Sequence, residues 1–110
     1  MSGASIEADG PGRFRVSGVL DYDSVGPLEA TSRGLLSTAP DAVVDIAGVE
    51  RANSAALALL LEWLDQARRA NRRIRFAGLP KSVLEIAEVS NVTRLLPIEA
   101  PAPGSGPAVA

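Results

Sequence analysis

The stretch from Val49 to Arg69, VERANSAALALLLEWLDQARR, decides the architecture, because a strand hands over to a helix through its polar loop. Just upstream, AVVDIAGV (residues 42–49) is a short apolar run rich in branched side chains, the pattern of a buried parallel strand. Downstream, leucines recur at helical spacing. With Leu57 at zero and about 100° per residue, Leu60, Leu64 and Ala67 fall within about 80° of it and Leu61 lies about 40° to the other side, which makes a core face. Glu62, Asp65, Gln66 and Arg69 gather between about 80° and 180°, which makes a wet one. Leu59 and Trp63, at about 200° and 240°, widen the apolar arc to about 200°, twice what one core contact requires. That flank serves either a partner or a second helix of the same fold.

The junction itself is Asn53-Ser54-Ala55-Ala56. Asn53 or Ser54 suits an N-cap, whose side-chain oxygen accepts a free backbone N–H and stabilises the helix by about 1 kcal/mol. Ser54 falls at the rim of the core, in line with Ala58. The two alanines keep the first turn low, so that another surface can approach the helix mouth. A helix N-terminus also carries free N–H groups and a partial positive charge.

Outward from this junction the chain alternates strand and helix. RFRVSGVL (residues 13–20) alternates polar and apolar as a strand with one buried face does, and a partner over Ser5–Ala8 joined through DGPG makes a hairpin. Capping oxygens over Asp21–Ser24 and an early Pro27 open a helix near 25 to 37. Ser54 to Ala70 is helix, RIRFAG a strand, PKSVLEIAEVS a helix opened by Pro80, and RLLPI a closing strand or extended segment. The order β-β-α-β-α-β-α implies crossovers onto a mostly parallel sheet with an antiparallel edge. Asp45 interrupts the apolar strand as a buried hydrogen-bonded carboxylate, and Asp21 and Asp23 read as turn and cap residues. From Ala100 the chain is Pro, Gly and small residues without charge, a flexible tail.

Composition narrows the function. The chain has 110 residues, 46% hydrophobic and 22% charged, with a net charge of −2, as an ordinary one-domain globular protein has. Its longest uncharged stretch around the junction, ANSAALALLL, is half of the roughly 20 residues needed to cross a bilayer. No secretory signal opens the chain, so a cytosolic site is expected. There is no histidine and no cysteine, one lysine and one tyrosine. These absences remove the usual general base, the thiolate nucleophile and the commonest metal ligands. No catalytic residue, cofactor or metal ligand is expected.

VVDIAGV, the polar loop ERAN, a hydroxyl, two small residues, LALLLEWLDQARR, IRFAGL and PKSVLEIAEVSNVTRLLP in that order resemble the STAS domain, the fold of anti-sigma-factor antagonists and of sulfate-transporter tails. Within it the chain looks most like the MlaB-like group, the stand-alone STAS subunit of the Mla phospholipid-transport ABC system. The resemblance covers residues 5 to 98, between an N-terminal segment at 1–4 and the tail at 99–110. It implies an α/β, STAS-like mixed sheet, mostly parallel, with helices packed against it. It also implies a non-catalytic cytoplasmic subunit, peripheral to the inner membrane, that binds and supports the ATPase of a transporter maintaining outer-membrane lipid asymmetry. Membrane association would come only through that complex. The partner surface implied is the loop before the long helix and its first turns: Arg51, Asn53, Ser54, Ala55, Ala58, Leu61 and Glu62.

Kinase-switched antagonists resemble D-S-[ST]-G at this loop, whereas this chain carries an amide, one hydroxyl and two alanines. That pattern points to constitutive docking with Ser54 as a contact residue. The alternative is an anti-sigma-factor antagonist in which Ser54 is the phosphoacceptor. A third candidate is the arginine run RRANRRIR (residues 68–75), which could touch lipid headgroups or an acidic partner. Nucleic acid is not expected as a partner, because the chain is acidic and poor in stacking aromatics. The simpler account of the run is cations favoured at a helix C-terminus.

Overall fold

The computed structural model describes residues 3–99. The expected tail lies outside the described residues apart from Glu99. Strands β1 (Ala4–Ala8) and β2 (Arg13–Leu20) lead to helix α1 (Val25–Leu36), strand β3 (Asp41–Ala52), helix α2 (Ser54–Arg69), strand β4 (Arg73–Ala77), helix α3 (Lys81–Val89) and a 3-10 turn at Thr93–Leu95. The four strands form one sheet in the order β1-β2-β3-β4, antiparallel at the first pair and parallel at the other two. This is the mixed, mostly parallel sheet that the alternation of elements requires.

The hairpin turns where the chain can reverse. Gly10 and Gly12 have φ of 108° and 69°, in the left-handed region that glycine enters without a steric cost. Beyond the turn Ala8 pairs with Phe14 and Ile6 with Val16. Phe14, Val44 and Phe76 then align across β2, β3 and β4. Strand side chains alternate, so one face of the sheet carries Ile6, Phe14, Val16, Val44, Ile46, Ile74 and Phe76, all buried, while Glu7, Arg15 and Arg75 stand exposed on the other. Buried apolar residues of all three helices join that one apolar set. The molecule is therefore two layers, helices over one sheet face, with the opposite face mostly polar around a buried Val43.

Strand β3 runs longer than the apolar pattern suggests, and its pairing shows why. Between Arg15/Ser17 and again between Gly18/Val19 the register with β2 shifts by one residue, so β3 carries extra residues and its alternation breaks after Ile46. Asp45 belongs to this irregularity. It is half-buried rather than buried, and its Oδ1 accepts from the N–H of Ala47 at 2.8 Å, an amide at the point where the ladder is disturbed. The closing segment is extended only at its end. Phe76 donates to Pro97 O and accepts from Glu99 N, both at 2.8 Å, making a single parallel bridge between Phe76 and Ile98.

The wide apolar arc of α2 is explained inside the molecule. Leu59 and Trp63 are 4% and 1% exposed, and the indole Nε1 of Trp63 donates to Ser32 Oγ of α1 at 2.7 Å. The flank faces a neighbouring helix, not a partner. Leu57, Leu60, Leu64 and Ala67 are buried as the core face, and Leu61 is half-buried at its edge.

Candidate docking site at the head of the long helix

The carboxyl ends of the parallel strands β2 and β3 lie side by side, Leu20 against Ala52, and the loops that leave them meet. After β2 the chain is pinned by its own polar groups. Asp21 Oδ1 accepts from the N–H groups of Asp23 and Ser24, each at 3.0 Å, and Ser24 Oγ donates to Val19 O at 2.6 Å. Asp21 thus makes a local turn, as Asp residues favour. After β3, Asn53 N donates to Leu20 O at 3.2 Å, tying this loop to the first.

Asn53, not Ser54, is the N-cap of α2. Its extended backbone and its Oδ1, accepting from Ala55 N at 2.8 Å, satisfy one of the free helix donors. This releases the Ser54 hydroxyl from structural duty at the first helical position. Ser54 is exposed, and its Oγ sits 2.6 Å from Tyr22 Oη, a hydrogen bond in which either group can donate. Tyr22 is 73% exposed, the most open aromatic of the structure, and the bond holds its ring beside the helix mouth.

From this pair a shallow groove of about 360 Å³ runs between α1 and α2, walled by Tyr22, Val25 and Gly26 on one side and by Ala55, Ala58, Leu59 and Glu62 on the other. At its far end Glu29 accepts two hydrogen bonds from the Arg33 guanidinium, both 2.7 Å, and one from Gln66 Nε2 at 2.8 Å. Gln66 also donates to Glu62 Oε2 at 3.0 Å, so the network links the two helices. These donors, Arg33 first and then Gln66, together with the Arg33 charge, hold the Glu29 carboxyl at a pKa of about 2, against the weaker opposing effect of burial.

The fold gathers most of the residues that the sequence singled out. Ser54, Ala58 and Glu62 form an exposed ridge along α2, and Arg51 with Asn53 lines an adjoining hollow of about 320 Å³ at the strand ends. Ala55 is 2% exposed and makes the floor of the groove, so its smallness lowers the relief, while Ala56 is wholly in the core and serves packing alone. Leu61 is half-buried and does not line the groove. Tyr22 was missed as a site residue. It lies 32 positions from Ser54 in a loop with no local signal, and only the folded sheet brings the two together.

Residues 6–97 match the family model described as Mlab, STAS domain. The chain belongs to the STAS domain family. Among solved structures it is similar to the anti-sigma factor antagonist SpoIIAA in its unphosphorylated form, with a TM-score of 0.65 and 12% identity over 86% of each chain. At that identity the likeness speaks to the fold: a four-stranded mixed sheet with three helices on it. No curated protein sequence gives a significant match. Among the described residues of this STAS domain no cluster of three or more acidic side chains is placed to hold a metal ion, and no helix is long and apolar enough to cross a membrane.

Proposed function

We propose that this STAS domain is a non-catalytic subunit that binds and supports the ATPase of an Mla-type phospholipid ABC transporter, on the cytoplasmic side of the inner membrane, and that the head of α2 is its contact surface. The observation that carries the reading is the match of residues 6–97 to the MlaB-type STAS model. The site geometry supports it. Ser54, Ala58 and Glu62 present a low ridge with Tyr22 standing beside it, a small-residue surface flanked by one aromatic anchor, which suits protein contact.

The experiment is co-purification of the tagged ATPase with the wild-type chain and with Ser54→Glu. A carboxylate at the first helical position is favoured by the helix dipole, so the fold stands while the contact surface acquires a charge. Loss of the complex with an unchanged thermal transition is the expected result. Wild-type yield of the Ser54→Glu complex would sink the assignment of the surface.

A second reading makes the chain an anti-sigma-factor antagonist switched at Ser54. The open Ser54 hydroxyl at a helix N-terminus favours it, because a phosphoryl group there gains from the free N–H groups. Incubation with a cognate anti-sigma kinase, followed by intact-mass measurement, separates the two: a mass increase lost in Ser54→Ala supports the switch, and an unchanged mass removes it.

A further inference from the structure

At the opposite end of the sheet from Ser54, where α2 ends and β4 begins, four arginines surround a cleft of about 390 Å³: Arg68 from α2, Arg72 from the turn, and Arg73 and Arg75 from β4. Helix-end electrostatics explain part of this set. Arg72 Nη1 donates to Leu36 O at the end of α1, at 2.9 Å, and neighbouring Arg69 pairs with Asp65 at 2.8 Å. They do not explain the β4 pair. Arg75 lies 3.7 Å from Asp41, the one carboxylate lining the cleft, and among the described residues neither Arg68 nor Arg73 forms a salt bridge. In a chain whose net charge is −2, the cleft concentrates unmatched positive charge.

The backbone adds a donor. Arg73 N bonds inward to Pro40 O and Phe76 N bonds outward to Pro97 O, so by strand alternation the N–H of Ile74 points to the open edge. The ladder beyond β4 stops there, because Pro97, the next residue in register, has no N–H to give and the chain turns away through Thr93–Leu95. Ile74 and Pro97 both line the cleft.

We propose that this cleft binds a phosphate group, carried either by a phospholipid headgroup or by a soluble phosphate ester. A carboxylate has two oxygens and is filled by one guanidinium fork, whereas a phosphate monoester presents three oxygens and up to two charges, which suits several guanidinium groups and an amide converging from separate elements. The volume is that of a small-ligand site. The site is separate from the α2 head and stands or falls independently of the ATPase reading.

The test uses the full chain, labelled with ¹⁵N, titrated with inorganic phosphate and with glycerol 3-phosphate, and sedimented with phosphatidylcholine vesicles with and without phosphatidic acid. The double variant Arg68→Gln/Arg73→Gln removes the two cleft arginines that make neither a salt bridge nor a side-chain hydrogen bond among the described residues, and Arg94→Gln serves as a control for charge outside the cleft. The expected result is a saturable shift of the Ile74 amide, an affinity about tenfold or more weaker in the double variant, and no change in Arg94→Gln. Sedimentation that needs both phosphatidic acid and the cleft arginines assigns the headgroup as source, and a phosphate-ester response without it assigns the soluble ester. No Ile74 response together with no cleft-dependent sedimentation, or equal binding by the double variant, overturns the proposal.

Discussion

The indole of Trp63 donates a hydrogen bond to Ser32 Oγ across the α1/α2 interface at 2.7 Å, with both side chains shut from solvent. Ser32 is the one buried polar residue of the described core, and its hydroxyl in turn donates to Glu29 O at 2.8 Å. The largest side chain of the core is thus oriented by a single hydroxyl. Replacing Ser32 with Ala leaves the indole N–H buried without a partner, and a cost of about 1–3 kcal/mol is expected in denaturant unfolding. In Trp63→Phe/Ser32→Ala the second substitution should cost much less, because the orphaned donor is gone. Additive losses would mean that the bond contributes nothing.

Asn53 and Ser54 stand next to each other with different duties. Asn53→Ala removes the cap of α2 and should cost about 1 kcal/mol of stability. Ser54→Ala and Tyr22→Phe remove an exposed hydrogen bond and should stay within about 0.5 kcal/mol. On the proposed docking surface the order reverses: Tyr22→Ala should weaken capture of the ATPase while leaving unfolding nearly unchanged. Parallel denaturation and pull-down series on these variants check both halves.

The Glu29 network makes stability depend on acid. The folded pKa of Glu29 is about 2, below its ordinary 4.5, so its contribution is complete above about pH 4.5 and is lost as pH falls through 2. Glu29→Gln should be less stable near neutrality and should show a flatter dependence between pH 4.5 and 2. Unfolding curves for both proteins across that window, at low and high salt, test the sign. A steeper acid loss in the variant would contradict it.

Gly78 closes the slot over the disturbed part of β3. Its φ is 66°, and a Cβ there would lie 2.7 Å from Ala47 Cβ and 2.8 Å from Asp45 Oδ1. Gly78→Ala therefore combines backbone strain with a clash, and a loss of about 1–3 kcal/mol is expected by thermal unfolding. Gly26→Ala meets open space inside α1 and should be neutral or stabilising by up to about 1 kcal/mol.

Residues 42–69 carried the architecture in linear form, since the passage from a branched apolar run to leucines at helical spacing is a property of neighbours in the chain. With the flanking segments read in the same way, the order of strands and helices, the hairpin, the core face of α2 and the family resemblance were all legible in the sequence. What faces the second apolar flank of α2 was not. Trp63 and Leu59 look the same on a helical wheel whether α1 or a partner covers them, and only the packing of α1 across the sheet decided it. The role of Asp45 likewise depended on register shifts between β3 and β2, which no local pattern encodes. Ser54 could be singled out by its place at a helix mouth, but its partner Tyr22 could not, nor could the meeting of Arg68 with Arg73 and Arg75 around one cleft. Periodicity reports which side of an element is apolar. Which elements then meet is settled by burial and register over the whole sheet, through contacts between residues far apart in the chain.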